Sequence, residues 1–293
     1  FIERQRLGAN PGEDDRLQFR ASQMDLDRLR GLAVHLPIPK DIRQTLTKTQ
    51  PSGILEGVKA SVQIKNDTLA AYDAQAAFKG LSVRSEDGAH FVRQLTGKID
   101  LNQTKGQLTL NSSDALLASP GILPINEVPL TQLSGKISWQ RDADKLGVKI
   151  KSLQLRNDDL QAAVNGTWSG SLAERASERE RAGDIDMKIV FDYAKTESGW
   201  KYVPLSASPV ISTWIKGAIS DGAISDFRIE MAGPVWDMPY GSPEPGSPPG
   251  SSEATGVEGK FTLGFKTSDL TVKYADGYPA LKKLDASFAM NQN

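Results

Sequence analysis

The sequence predicts a mainly β protein: a long, twisted, mostly antiparallel sheet with a few short helices. Three observations predict it. The stretch Leu95-Thr-Gly-Lys-Ile-Asp-Leu101 returns as Leu133-Ser-Gly-Lys-Ile-Ser-Trp139 and as Val257-Glu-Gly-Lys-Phe-Thr-Leu263. Each copy alternates apolar and polar residues, the pattern of a strand with one apolar and one wet face. About ten such one-faced segments follow one another at short spacing, separated by turn residues, as in an all-β chain. Helical periodicity is confined to a few short runs. The irregular spacing of the repeated motif points to a sheet extended by hairpins, not to a short solenoid repeat.

Taken in order, Asn10 to Arg16 is turn chemistry, and Leu17, Phe19 and Ala21 alternate as a strand. Ser22, with Asp25 three residues on, reads as a helix start, and Leu26, Leu29 and Leu32 supply an apolar stripe that Pro37 and Pro39 end. A second helix is expected from Lys40 to Thr47. From Gly53 the period becomes two: Val58, Ala60, Val62 and Ile64 share a face, Asn66-Asp67 turns, and Tyr72, Ala74, Ala76 and Phe78 return. The first Gly-Lys strand follows, then Leu108 and Leu110, then a loop over 113–129 carrying Pro120, Pro124 and Pro129. After the second Gly-Lys strand, the parity slips between Ile150 and Leu153, which predicts a bulge. Leu160 to Trp168 and Ile185 to Tyr193 are clean one-faced strands. Ser208-Pro209 opens a helix over 208–216, with Ile211, Trp214 and Ile215 on one side. Strands at 222–231, after the third Gly-Lys motif, and at 284–290 complete the series. Residues 172–183 are expected to form a charged solvated loop, and the Pro/Gly/Ser-rich residues 238–256 a flexible one.

Composition narrows function by exclusion. Formal net charge is −1 with the signs intermixed, so no basic stripe suits nucleic acid. Cysteine is absent. No segment approaches the roughly 20 apolar residues of a membrane helix. No secretion signal is present, and the chain reads as an internal piece of a longer protein whose anchor lies outside it. The two histidines, His35 and His90, have no partner pattern for a metal or a triad. Asn157-Asp-Asp159 admits a cation but reads as a turn. Asn165-Gly-Thr167 matches a glycosylation sequon inside a strand pattern. No catalytic residues, metal ligands or cofactor site are assigned.

The apolar faces leave two arrangements open: a closed core, or a long trough open along one side. The ordered series Trp200-Lys-Tyr202, Trp214-Ile-Lys-Gly-Ala-Ile219, Asp221-Gly-Ala-Ile-Ser-Asp-Phe227, Ala232-Gly-Pro234, Leu270-Thr-Val-Lys-Tyr274 and Gly277-Tyr-Pro-Ala-Leu281 bears on this choice. Together with Phe19 to Leu26, Leu36-Pro-Ile-Pro39, Pro51 to Glu56 and Leu155 to Leu160, it resembles the AsmA-like family of Gram-negative envelope proteins, and within it the large YhdP group. The resemblance covers nearly the whole chain, with residues 172–183 and 238–256 as insertions and the family's N-terminal anchoring helix missing. It implies that residues 1–293 form one elongated β-groove segment of a bridge-type lipid carrier in the periplasm. The carrier would be anchored in the inner membrane, reach both membranes through parts outside this piece, and pass phospholipid between them. Acyl chains would lie along Val62, Ile64, Ile99, Leu101, Ile137, Trp139, Val164 and Ile189, with Lys98, Asp100 and Lys136 turned to water. The competing readings are a structural or adhesin-like envelope module with a closed core, and a glycan hydrolase, for which no carboxylate pair is found.

Overall fold

The computed structural model describes residues 2–6, 14–32, 40–65, 68–205, 209–238, 259–274 and 277–292. The chain divides into two compact units, residues 1–140 and 141–293. The first holds β1 (Ile2–Arg6), β2 (Asp14–Asp25), β3 (Ser52–Lys65), β4 (Thr68–Arg84), β5 (Phe91–Asn102), β6 (Lys105–Ser112), β7 (Ala115–Ala118), β8 (Glu127–Leu130) and β9 (Gln132–Asp142). Its strands lie in the order β1-β2-β3-β4-β5-β6-β9, with β7 paired to the free end of β5 and β8 to β7. The second holds β10 (Lys145–Arg156), β11 (Leu160–Ser171), β12 (Asp184–Lys195), β13 (Ile219–Pro234), β14 (Lys260–Val272) and β15 (Leu281–Gln292), side by side in chain order. The protein is mainly β, its strand pairings are antiparallel, and the sheet is open rather than closed into a barrel.

Among the described residues, four short α-helices interrupt the strands. α1 (Leu26–Leu32) and α2 (Lys40–Thr49) link β2 to β3, α3 (Glu178–Ala182) precedes β12, and α4 (Pro209–Ala218) follows a 3-10 turn at Thr196–Tyr202 on the way to β13. The first helix begins later than its Ser22 signal predicts. Residues 23–25 stay in β2, paired with 54–56 of β3, and the Asp25 carboxylate caps the helix by accepting the Asp27 and Arg28 amides at 2.9 and 3.2 Å. Sheet pairing outweighs the local cap preference of the serine. The proline-rich loop at 113–129 differs likewise: it contains β7 and most of β8, because Ala115 to Ala118 completes the edge of β5 that β6 has left. The predicted turn at Asn66-Asp67 and residues 239–256 of the flexible segment lie outside the described residues.

The bulge between Ile150 and Leu153 is present, with Ser152 at φ 52°. The Asn165 side chain accepts the Ser152 amide at 2.8 Å, which gives the sequon asparagine a structural duty. Other bulges reveal a repeat that the Gly-Lys motif does not. On β3, Gly53 (φ 114°) is followed four residues later by Gly57 (φ 60°), and on β13 Gly222 (φ 119°) is followed at the same spacing by Asp226 (φ 53°). The next two strands carry Gly80 and Gln94 in the first unit and Asp269 and Lys283 in the second, all near φ +55° to +60°. Register shifts accompany these positions on both sets of strands. Each unit thus places a helical crossover before three bulged strands. Glycine is required at the first site: a Cβ on Gly53 would stand 2.7 Å from the Gly80 carbonyl oxygen, and one on Gly222 2.8 Å from the Leu270 Cα. The Gly-Lys strands themselves are β5, β9 and β14, each antiparallel to its neighbours.

Burial in the first unit is concentrated around the β7–β8 hairpin. Phe78 is 1% exposed, and Leu95, Leu110, Ala115, Ala118, Leu130 and Leu133 are buried with it. Phe78 stands opposite Gly97, the glycine of the first motif, and its ring fills the space a side chain there would take. The small residue on the apolar side of the motif therefore serves close approach. Phe78→Ala should lower the unfolding free energy of this unit by about 3–5 kcal/mol, measured by urea denaturation. A loss no larger than that of a half-exposed site would contradict the central place given to this ring.

Candidate functional site

Opposed residues of an antiparallel pair point to the same face, so the ladders show which side chains share a surface. In the first unit one transverse row runs Phe19, Ala60, Ala74, Leu101, Gly106, Trp139 across six strands. A parallel row runs Ala76, Ile99, Leu108, Ile137, and a third joins Leu17, Val62 and Tyr72, with Ile64 two residues along β3 from Val62. The six predicted lining residues of this unit, Val62, Ile64, Ile99, Leu101, Ile137 and Trp139, therefore lie on one face. All six are half-buried, between solvent and core. In the second unit Val164 faces Ile189 directly, within the row Leu153, Val164, Ile189, Ile229, Leu263, Met290. Ile189 is half-buried and Val164 is buried at 7% exposure.

The reverse face is polar. Lys98, Asp100 and Lys136 are exposed and sit in the rows Ala77, Lys98, Thr109, Lys136 and Lys59, Gln75, Asp100, Gln107, Ser138. A recess of about 400 Å³ opens here between Glu56, Lys59, Gln75, Lys98 and Asp100. Its charged walls suit water, since desolvating them against hydrocarbon would be costly. In the second unit Glu230 on the same kind of face takes Lys188 at 2.9 Å and Lys260 at 3.5 Å. The hydrogen bond from Lys188 is the main reason its carboxyl titrates below the ordinary range.

Sequence reasoning missed an aromatic ladder on the apolar side of the second unit. Phe191 and Phe227 stack at 4.3 Å between ring centres, Phe227 meets Phe265 edge-on at 5.8 Å, and Phe265 stacks on Phe288 at 5.2 Å. The four rings come from β12, β13, β14 and β15 in succession, and Phe288 is 47% exposed. Each phenylalanine is legible as a strand residue, but only the register aligns them.

The ends of the second unit carry polar fittings. Residues 172–183 include the helix α3, begun by a reciprocal cap between Ser177 and Glu180; their Ser-x-x-Glu spacing is the signal in the sequence that could have found it. The Trp168 indole N–H donates to the Ala182 carbonyl at 2.7 Å, and Arg179 pairs with Asp237, so the charged run is docked onto β11. At the other end Asn157-Asp-Asp159 is a turn. Asn157 accepts the amides of Asp159 and Leu160, while the Asp159 carboxylate takes Lys201 at 2.7 Å, Ser198 at 2.8 Å and Tyr202 at 3.1 Å. Burial would raise the Asp159 carboxyl, but these donors outweigh it and hold it below 3.8. Burial likewise pushes the Tyr202 phenol up to about 12. The carboxylate that a cation would need is already engaged. The Lys216 ammonium of α4 lies 4.4 Å from the Trp200 ring centre, which holds the helix to the 3-10 turn. The side chains of Ile211 and Trp214, expected to pack on the sheet, lie outside the described residues.

An open antiparallel sheet with one apolar, half-exposed face defines a class of β-rich scaffold. The family model described as YhdP protein matches residues 3–293, and the chain belongs to that family, a member of the AsmA-like group of envelope proteins. No curated protein and no solved structure matches the chain. Among the described residues no helix is long and apolar enough to cross a membrane.

The aromatic and carboxylate contacts can each be tested. An aromatic pair contributes about 0.5–1.5 kcal/mol beyond the area it buries. Phe227→Ala removes two such pairs and should destabilise the second unit more than Phe288→Ala, which removes one; equal losses in urea denaturation would count against a continuous ladder. Because Asp159 is depressed in the folded state, its stabilising contribution is present above 3.8 and is lost as pH falls through the lower folded value. The acid limb of the stability profile should therefore be shallower in Asp159→Asn, and an unchanged limb would remove Asp159 as its source.

Proposed function

We propose that this chain is a segment of a periplasmic carrier that passes phospholipid between the inner and outer membranes along the apolar face of its sheet. One observation carries the reading: the apolar rows run unbroken from strand to strand in each unit, yet their members are mostly half-buried. Contiguous exposed apolar surface of more than a few hundred Å² marks a binding surface in a soluble protein. The rows run across the strands, so a hydrocarbon chain following them crosses successive hairpins instead of one strand. The described members of these rows carry no charge, while lysines and acids occupy the reverse face. Family membership supports an envelope setting. The binding partners are acyl chains, and the chain acts as a carrier rather than an enzyme.

The test places a charge and a probe on adjacent residues of β9. Ile137→Asp puts a carboxylate into the acyl path while leaving the strand's hydrogen bonds intact, and phospholipid transfer should stop with circular dichroism unchanged. A photo-crosslinker at 137 should capture phospholipid in cells and one at 136 should not. Equal capture at both positions, or at neither, defeats the assignment of this face. Native mass spectrometry of the purified segment should show bound phospholipid; a protein that is always empty favours the closed structural module.

A further inference from the structure

The glycines of the apolar face differ in what occupies the space above them. A Cβ on Gly97 would lie 2.1 Å from the Thr109 carbonyl oxygen as well as 2.8 Å from the Phe78 ring, so backbone alone forbids a side chain there. Gly106 is another case. The three atoms nearest to a Cβ built on it all belong to the Trp139 indole, with Cζ2 at 2.1 Å, Cε2 at 2.4 Å and Cη2 at 2.7 Å. Gly106 is not among the residues at positive φ, so its backbone conformation does not call for glycine. What calls for it is the ring. β6 places Gly106 between Leu101 of β5 and Trp139 of β9, and the indole, rooted on β9, lies across β6 where a side chain would otherwise stand.

We infer that Gly106 is a positioning residue for the acyl path: by lacking a side chain it keeps the Trp139 indole down on the sheet and leaves the space above the ring clear. The inference rests on the proposal that this face carries acyl chains. A methyl group at 106 must displace the ring. Backbone lies beneath it and Leu101 closes the far side of Gly106, so the ring moves up, into the space a passing chain needs. The displaced atoms are the far end of a side chain and not backbone, so the strand pairing survives the change. Trp139 then acts as a shutter whose height is set from the neighbouring strand, and the hydrophobicity of the face is unaltered.

The experiment measures phospholipid capture by the crosslinker at 137, and phospholipid transfer between membranes, in the full-length protein. Gly106→Ala should lower both about tenfold, the effect of an overpacking penalty on a path that must stay open. Trp139→Ala removes a lining residue and sets its own level of transfer; adding Gly106→Ala to Trp139→Ala should cost nothing further, a loss of additivity that a purely structural glycine would not show. If Gly106→Ala does not fold, the double variant decides against Trp139→Ala: folded and as active as that single variant supports the inference, unfolded or less active overturns it. If Gly106→Ala transfers normally while Ile137→Asp blocks, the positioning role fails and the acyl path stands. If Ile137→Asp also transfers normally, the acyl path itself fails.

Discussion

A strand sends alternate side chains to opposite faces, and everything in this protein depends on that alternation surviving from one strand to the next. A slip of one residue would exchange Ile99 and Leu101 for Lys98 and Asp100 on the apolar side. The ladders prevent it: Ala76, Ile99, Leu108 and Ile137 oppose one another across four strands, as do Leu153, Val164, Ile189, Ile229, Leu263 and Met290 across six. Where a strand must bend, a bulge absorbs the extra residue. At Ser152 the parity is lost and recovered within one turn of chain, and Asn165 satisfies the amide that the bulge frees.

Alternation accounts for the polarity of each face but not for the shape of the apolar one. That is set by which residues are small. Gly97 lies beneath Phe78, Gly106 beneath Trp139, and a Cβ on Gly170 would meet the Trp168 ring at 2.5 Å. In each place an aromatic ring leans over a glycine, which shields exposed backbone and lowers the profile of the ring. The Phe191–Phe227–Phe265–Phe288 ladder does something different, meeting ring with ring across adjacent strands. A surface so constructed is apolar without being packed shut, consistent with half-burial along most of its length.

The second unit is finished at its ends by hydrogen bonds as well as by apolar packing at Leu160 and Ala218. Trp168 holds α3 through its indole N–H, and Asp159 gathers Lys201, Ser198 and Tyr202 beneath the crossover to β13. Such contacts are directional and satisfy polar groups that the chain reversals would otherwise bury unpaired. They close the ends while leaving the transverse rows uncovered.

How much of this is legible in the sequence follows from the range of each signal. Period-two alternation is local, so the strands, the polar side of Lys98 and Lys136, and the parity slip after Ile150 can all be read directly. The helix-opening Pro209 is local too, and so is the Ser177–Glu180 cap, which the surrounding run of charge hides. Non-local pairing decided the rest. The sequence repeat Gly-Lys marks β5, β9 and the start of β14, whereas the structural repeat is a spacing of positive-φ residues, Gly53–Gly57 and Gly222–Asp226, in which glycine is replaced by aspartate and composition no longer shows it. The phenylalanine ladder and the Gly106–Trp139 contact join residues from different strands, and no spacing along the chain encodes a distance across the sheet. Sequence determined which side of each strand is apolar, because the pleat is a property of the strand alone; only the tertiary structure decided which apolar residues meet and which remain half open to solvent, because register is a property of pairs of strands.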